Sequence, residues 1–332
     1  MIYDKKNINS ETLEKELKNI SVRAGVVKLE ETIRFPKYFQ LETIRLCNSH
    51  CTFCTVDVWD KSVPYIPEKL FEKVIEEMKD HNDWIEVVSV QRAGEPLLDK
   101  KITERIRRLK DIGIKRVNLS TNASLLTEDK TKELIDAGLD EIMFSIDSVD
   151  RETYSKMRIG LDFDTVVKNI RTFFRIRAEM NSNILARVRG ISFYDVNSLQ
   201  DQGKLKKWEN FWNELKRPGD RIYMKQVHNW GNQKTWEEYT FEEPWVYHPC
   251  VLMWTTMHIT TMGKIAMCPI DFDAKVVMGN LWEQTIKEIW QGHIFTKFRK
   301  LHSRGKRNEL DYCQGCRLFD SDFTLESLEK NQ

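Results

Sequence analysis

No stretch of this 332-residue chain is long and apolar enough to suggest a membrane span, and the opening MIYDKKNINSETLEKELKN is charged where a signal peptide would be hydrophobic. Glycine and proline are scarce, at 14 and 8 residues, which excludes collagen-like and low-complexity classes. Net charge is missing too. Lys and Arg (52) almost cancel Asp and Glu (51), so no nucleic acid and no membrane surface is expected as a partner. An eighth cysteine is also absent. Seven thiols cannot all pair, so paired disulfides are not expected and a reducing cytoplasm is. What is present, 41% hydrophobic and 31% charged residues, describes a globular chain able to bury a core, expected as one large domain with a smaller one.

The cysteines fall into a set of three and a set of four. Cys47, Cys51 and Cys54 stand in RLCNSHCTFC with C-x3-C-x2-C spacing, and Cys250, Cys268, Cys313 and Cys316 follow as C-x17-C-x44-C-x2-C. Thiols grouped like this in a reducing compartment are expected to be metal ligands, because a soft cation lowers their pKa and holds them in place. Zinc is one reading, and it suits the distal four taken alone. It suits the proximal three poorly, since a structural zinc site is closed by four ligands. Three thiolates on a four-iron cluster leave one iron open to a ligand that is not protein.

Between the two sets the chain alternates strand and helix patterns. Apolar runs predict strands at about 37–43, 84–90, 115–120 and through DEIMFSI, then at 184–191 and 221–227. Helices are expected where Leu70, Phe71, Val74, Ile75 and Met78 recur after Pro67, and where Ile102, Ile106 and Leu109 lead to a stop at Gly113. Another starts at Thr127 with Glu128 and Asp129 and ends near Gly138, and a long one carries Phe163, Val166, Val167, Ile170, Phe173 and Phe174. Six strand–helix units imply a parallel sheet with helical crossovers, whose ligand lies at the C-terminal strand ends.

C-x3-C-x2-C with Phe53 before the last cysteine resembles the signature of the radical S-adenosylmethionine (SAM) enzymes. The resemblance runs from about residue 36 to 320 and implies an α/β fold, a partial (β/α)6 TIM-like barrel with a small C-terminal α+β auxiliary-cluster module. The expected division is an N-terminal extension at 1–36, the barrel at 37–235 and the module at 236–332. In the family the open iron binds the amino and carboxylate groups of SAM. Gln91-Arg92-Ala93-Gly94-Glu95-Pro96 looks like the Gly-Gly-Glu-Pro segment that holds the SAM amino group, with Ala93 in place of the first glycine, a mild change if no positive φ is needed there. The resemblance thus implies SAM contacts at Phe53, Gly94 and Glu95. Further candidates are Asn122 and Ser145 at the ends of strands three and four, where Ser120, Thr121, Asp147 and Ser148 also stand; capping of turns is their structural alternative. Arg187, on the same strand face as Arg189, is the candidate partner for the SAM carboxylate, against a purely structural ion pair. Lys225 and His228 are candidate catalytic or substrate-contacting residues at the end of strand six, with Asn229 and Trp230 beside them.

From Cys250 onward the order is a hairpin around Met262-Gly263, Cys268-Pro269, Gly279-Asn280-Leu281 turning into a helix with Ile286, Ile289 and Trp290, and the final C-x2-C. This is similar to the twitch module, the shortened form of the SPASM auxiliary-cluster domain. The implied cofactors are SAM and two [4Fe-4S] clusters, one open and SAM-binding, the other auxiliary and closed by four thiolates. An electron from the reduced proximal cluster would cleave SAM and yield a 5′-deoxyadenosyl radical able to take hydrogen from an unactivated C–H bond. A closed auxiliary cluster favours electron transfer over substrate coordination. No thiol is left over to return a hydrogen atom, which weakens a sugar epimerase relative to an oxidase. The spacing resembles that of twitch-bearing dehydrogenases of the cyclic amino-alcohol 2-deoxy-scyllo-inosamine. The expected reaction is oxidation of a secondary alcohol on a small polar, carbohydrate-like substrate, with flavodoxin or ferredoxin as electron donor. The alternatives are a sugar epimerase, a peptide-modifying maturase and a zinc-binding interaction module. Trp230, Trp236, Trp245 and Trp254 either stack on a sugar or pack the module junction, with packing preferred.

Overall fold

The computed structural model describes residues 8–193, 202–231, 233–234 and 247–316. Trp236 and Trp245 lie outside the described residues. The chain runs through α1 (Ser10–Arg23), β1 (Tyr38–Leu41), β2 (His50–Cys51), α2 (Glu68–Lys79), β3 (Val87–Ser89), α3 (Ile102–Asp111), β4 (Arg116–Thr121), α4 (Glu128–Asp136) and β5 (Glu141–Ser145). It continues through α5 (Arg151–Met157), β6 (Arg158–Ile159), α6 (Phe163–Glu179), β7 (Leu185–Ser192), α7 (Gln202–Asn213) and β8 (Arg221–Gln226). The last elements are α8 (Leu252–Thr255), β9 (Thr256–Ile259), β10 (Lys264–Ala266), β11 (Val277–Asn280), α9 (Ile286–Gln291), α10 (His293–His302) and α11 (Asp311–Gln314). Two compact units result: a first of Met1–Gln40, Glu68–Val87 and His228–Gln332, and a second of Leu41–Pro67 and Val88–Val227. No helix among the described residues is long and apolar enough to cross a membrane.

The six strands expected from the sequence stand in the order β1-β3-β4-β5-β7-β8, an α/β arrangement of the partial-barrel kind. In the second unit β4, β5, β7 and β8 pair in parallel, with Leu119 opposite Ile142, Ile142 opposite Ala186 and Val188 opposite Ile222. The crossover helices form where their end signals lie. Thr127 accepts the Lys130 amide at the start of α4, Asp162 accepts the Thr165 amide at the start of α6, and α3 gives way to Gly113 at φ +90°. Val166, Ile170, Phe173 and Phe174 form the buried face of α6, with the Phe173 ring edge-on to Phe144 of β5 at 5.1 Å. Strand β3 is shorter than the sequence suggests. The Trp84 and Ile85 amides bond to the His81 carbonyl, so these residues finish the α2 connection and do not extend the strand.

In the first unit the order is β11-β10-β9-β1. The hairpin around Gly263 is antiparallel, with Ile265 opposite Ile259 and Gly263 at φ +83°. Gly279 and Asn280, expected as a turn, belong to β11 and pair with Ile265 and Lys264. A Cβ on Gly279 would lie 2.5 Å from Ile289 Cγ1, so this glycine lets α9 pack on the strand. Helix α9 begins later, at a reciprocal cap in which Thr285 Oγ1 accepts the Glu288 amide and Glu288 Oε2 accepts the Thr285 amide. The N-terminal residues belong to this unit: Trp290 Nε1 donates to the Thr32 carbonyl at 2.8 Å, and Trp84 Nε1 donates to that of Phe35 at 2.7 Å.

Candidate active site

The loop after β1 carries the three proximal cysteines, and it is held by a short antiparallel ribbon that sequence patterns do not reveal. Strand β2 pairs with β6, setting Cys51 opposite Arg158 and His50 opposite Ile159. The Cys54 amide bonds to the Cys51 carbonyl at 2.9 Å, and the Thr52 amide to that of Met157 at 3.0 Å. Ser49 Oγ lies 3.1 Å from Cys51 Sγ and also donates to the Ile159 carbonyl. The Arg158 guanidinium lies 5.0 Å from the Phe53 ring centroid, and that ring meets Phe193 edge-on.

Behind the loop, Gly94 has φ +77°, and a Cβ there would sit 2.7 Å from the Leu46 carbonyl oxygen and 2.8 Å from that of Ile44. Only glycine suits both the conformation and the approach. The neighbouring Ala93 is not among the positive-φ residues, so alanine is tolerated at that position. The Glu95 amide bonds to the Leu46 carbonyl at 2.8 Å, next to Cys47. Its buried carboxylate accepts Thr121 Oγ1 at 2.6 Å, the Asn122 amide at 2.8 Å and the Leu97 amide at 3.1 Å. Burial raises its pKa and these donors oppose the rise. Asn122 donates through Nδ2 to Asn48 Oδ1 and accepts Ser124 on Oδ1, which ties the end of β4 to the cysteine loop.

At the end of β5, Ser145 Oγ lies 3.3 Å from Ser120 Oγ. Asp147 is bonded to Arg158 through both carboxylate oxygens and accepts the Ile191 amide at 2.7 Å. Arg187 forms a buried ion pair with Glu141, at 2.9 Å, and Glu141 is the first residue of β5. That pair belongs to the N-terminal strand ends. Arg189 is the register partner of Ser145, at the C-terminal end. Lys225 pairs with Ile191 near the end of β8 in the second unit, whereas His228 falls in the first.

The four distal cysteines are all buried. The Cys250 amide bonds to His302 Nδ1 at 3.0 Å, the Cys316 amide to the Cys313 carbonyl at 3.3 Å, and Arg307 Nη2 donates to the Cys316 carbonyl at 3.2 Å. Asp271 holds the turn after Cys268 by accepting the Lys275 and Val276 amides. His228 and Trp230, expected to face substrate, pack within this unit. The two rings are 4.7 Å apart, Trp230 is edge-on to Phe272, and a Cβ on Gly231 would lie 2.6 Å from the Tyr312 carbonyl oxygen.

The thiols fit iron–sulfur ligation. Burial, reinforced by Glu95 and by the charges of Cys51 and Cys54, pushes Cys47 up to about 12, and burial with repulsion from Cys51 pushes Cys54 up to about 11. Burial likewise raises Cys268, with Cys313 and Cys316 adding to it. Thiols close enough to repel one another as thiolates need a cation to ionise together. Three thiols from one loop, Cys47, Cys51 and Cys54, suit a four-iron cluster with one iron left open better than a structural zinc ion, which is closed by four ligands.

Residues 41–186 match the Radical SAM superfamily, and residues 250–317 match the SPASM iron-sulfur cluster-binding domain. The chain thus carries a radical SAM domain and an iron–sulfur cluster-binding domain of the SPASM type, which together imply SAM and two [4Fe-4S] clusters as cofactors. It is 43% identical over 58 residues to the S-adenosyl-L-methionine-dependent 2-deoxy-scyllo-inosamine dehydrogenase of Niallia circulans, covering 18% of this chain and 23% of that one. It is 42% identical over 77 residues to a probable GTP 3′,8-cyclase of Methanococcus maripaludis, covering 23% and 26%. The chain spans about half or less of the length of the curated relatives it matches. In fold it is similar to the crystal structure of BtrN in complex with AdoMet and 2-DOIA, at TM-score 0.57 and 20% identity, covering 84% of this chain and 92% of that one.

Proposed function

We propose that this chain oxidises a secondary alcohol of a carbohydrate or aminocyclitol by two electrons. The observation that carries the reading is the fate of the cysteines. Four lie buried in the distal domain and three stand in the proximal loop, so with all seven taken as cluster ligands none is left as a hydrogen donor. When bound and reduced, the SAM-binding cluster supplies an electron that cleaves SAM and delivers a 5′-deoxyadenosyl radical to a substrate C–H bond. Cys47, Cys51 and Cys54 hold that cluster. Gly94 gives the backbone room to approach the SAM amino group, and Glu95, braced by Thr121 and Asn122, supplies negative charge behind it. Phe53 and Ser145 line the same site. Because Arg187 is engaged with Glu141, the role of pairing the SAM carboxylate passes to Arg189, the neighbour of Ser145. Lys225 contacts the substrate. The substrate loses its first electron with the abstracted hydrogen atom; Cys250, Cys268, Cys313 and Cys316 would hold the acceptor of its second electron, the hydroxyl proton passing to water, and a flavodoxin- or ferredoxin-class protein supplies the separate electron that reduces the SAM-binding cluster. The short match to the inosamine dehydrogenase supports an aminocyclitol as the first substrate to test.

The test is anaerobic turnover of reconstituted protein with substrate deuterated at the carbinol carbon. One methionine, one 5′-deoxyadenosine carrying deuterium and one ketone per turnover are expected. An epimer with no ketone, or a turned-over substrate with no deoxyadenosine, overturns the reading.

A further inference from the structure

One buried cation in the second unit has no part in SAM or substrate binding as described above. Arg158 lies across the β2–β6 ribbon from Cys51, its register partner, and directs Nη1 to Cys51 Sγ at 3.7 Å. The other two nitrogens are fixed by Asp147, Nε to Oδ2 at 2.5 Å and Nη2 to Oδ1 at 3.0 Å, and Asp147 is itself fixed by the Ile191 amide. The Phe53 ring covers the guanidinium, which is buried. Arginine keeps its charge under such burial, and its planar fork serves one carboxylate bidentately while a third nitrogen points elsewhere.

We propose that Arg158 is a positioning residue that sets the reduction potential of the SAM-binding cluster through Cys51. An N–H donor and a full positive charge beside a ligating sulfur stabilise the reduced cluster more than the oxidised one, because reduction adds one electron and no compensating cation. The potential therefore rises. One electron from a flavodoxin- or ferredoxin-class donor reduces the cluster, the donor being oxidised by one electron, and Arg158 brings that transfer within the donor's range. Asp147 aims the guanidinium, so a carboxylate at the end of β5 acts on the cluster at one remove. This builds on the reading of Cys51 as a cluster ligand. Cys51→Ala tests that premise separately, by loss of the iron–sulfur EPR signal that SAM perturbs.

The experiment is an EPR-monitored redox titration of the reconstituted full chain, following the signal that SAM addition changes, with iron content measured on each sample. Arg158→Gln is expected to lower the potential enough to cut the reduced fraction at a fixed ambient potential about tenfold, which is about 59 mV for a one-electron couple. Arg158→Lys, which keeps the charge and loses the fork, is expected to fall between Gln and wild type. Since Arg158→Gln leaves Asp147 buried without its partner, the paired change Asp147→Asn with Arg158→Gln keeps the local charge balanced and is expected to lower the potential as well. Wild-type potential in an iron-replete Gln variant or paired variant overturns the proposal. So does failure of every variant, the lysine included, to load iron, because Arg158 would then hold the loop together and not tune it.

Discussion

Gly94→Ala probes how closely the two halves of the SAM site are joined. The new Cβ would lie 2.7 Å from the Leu46 carbonyl oxygen and 2.8 Å from that of Ile44, and both are backbone atoms that cannot rotate away. Residue 94 also stands at φ +77°, where an L side chain costs about 1–2 kcal/mol. Relieving the contact must shift the Ile44–Leu46 segment or the turn, and either movement stretches the 2.8 Å bond from the Glu95 amide to the Leu46 carbonyl. Adding that loss gives roughly 2–4 kcal/mol in total. Because Cys47 follows Leu46, the strain falls on a cluster ligand. The expected outcome is a melting temperature lower by roughly 5 °C or more and weakened SAM binding with the distal cluster retained. Calorimetry and equilibrium SAM binding read it. Gly203→Ala is the matched control, since a Cβ there meets nothing within 4 Å, and within α7 it should stabilise by about 0.5–1 kcal/mol. A Gly94→Ala protein with wild-type melting and SAM affinity would refute the argument.

The other predictions separate the parts of the site. Replacing Cys47, Cys51 or Cys54 by Ala should abolish SAM cleavage, whereas Cys313→Ala should leave uncoupled cleavage, measured as deoxyadenosine, and stop ketone formation; equal loss from both would remove the case for an electron-accepting role. Arg189→Lys should weaken SAM binding about tenfold, by calorimetric titration, with little effect on melting. Arg187→Leu should do the reverse, costing roughly 3–5 kcal/mol because it leaves Glu141 buried without its ion-pair partner. Removing residues 1–36 deletes the carbonyls of Thr32, Ile33 and Arg34 that accept Trp290 and Gln291, and should lower distal iron content while the SAM-perturbed signal persists.

Where a structure is made by local repetition, it is legible in the sequence. The stripe Leu70, Phe71, Val74, Ile75, Met78 is the buried face of α2, and Thr127 with two acids after it starts α4, because helix period and capping are written within a few residues. Cysteine spacing was legible for the same reason, since a ligand set closed over short loops leaves its spacing in the chain. Strand β11 is not legible in the sequence because Gly279-Asn280 is turn chemistry in isolation, and only the approach of Ile289 explains a glycine there. The ribbon of β2 and β6 leaves no mark in the sequence because two residues per strand carry no alternation. With it went Arg158, which looks like any surface arginine in SKMRIG until Asp147 and Cys51 are brought beside it.

The two cysteine sets differ in how they are assembled, and this bears on what each can report. The proximal three come from one loop, whose shape is fixed by a two-residue ribbon and by the Glu95–Leu46 and Asn122–Asn48 bonds. The distal four come from separate places: ahead of α8, after β10, on α11 and just beyond it. Bringing them together requires His302 from the end of α10 against the Cys250 amide and Arg307 against the Cys316 carbonyl. Helix α9, which precedes that segment, is bonded in turn to residues 32–34. The distal set therefore depends on contacts across nearly the whole length of the chain, while the proximal set depends on its own loop and three neighbouring strand ends. Destabilising changes in the first unit should accordingly appear first as distal iron loss, and a reaction that needs both sets would lose its coupling before it loses SAM cleavage.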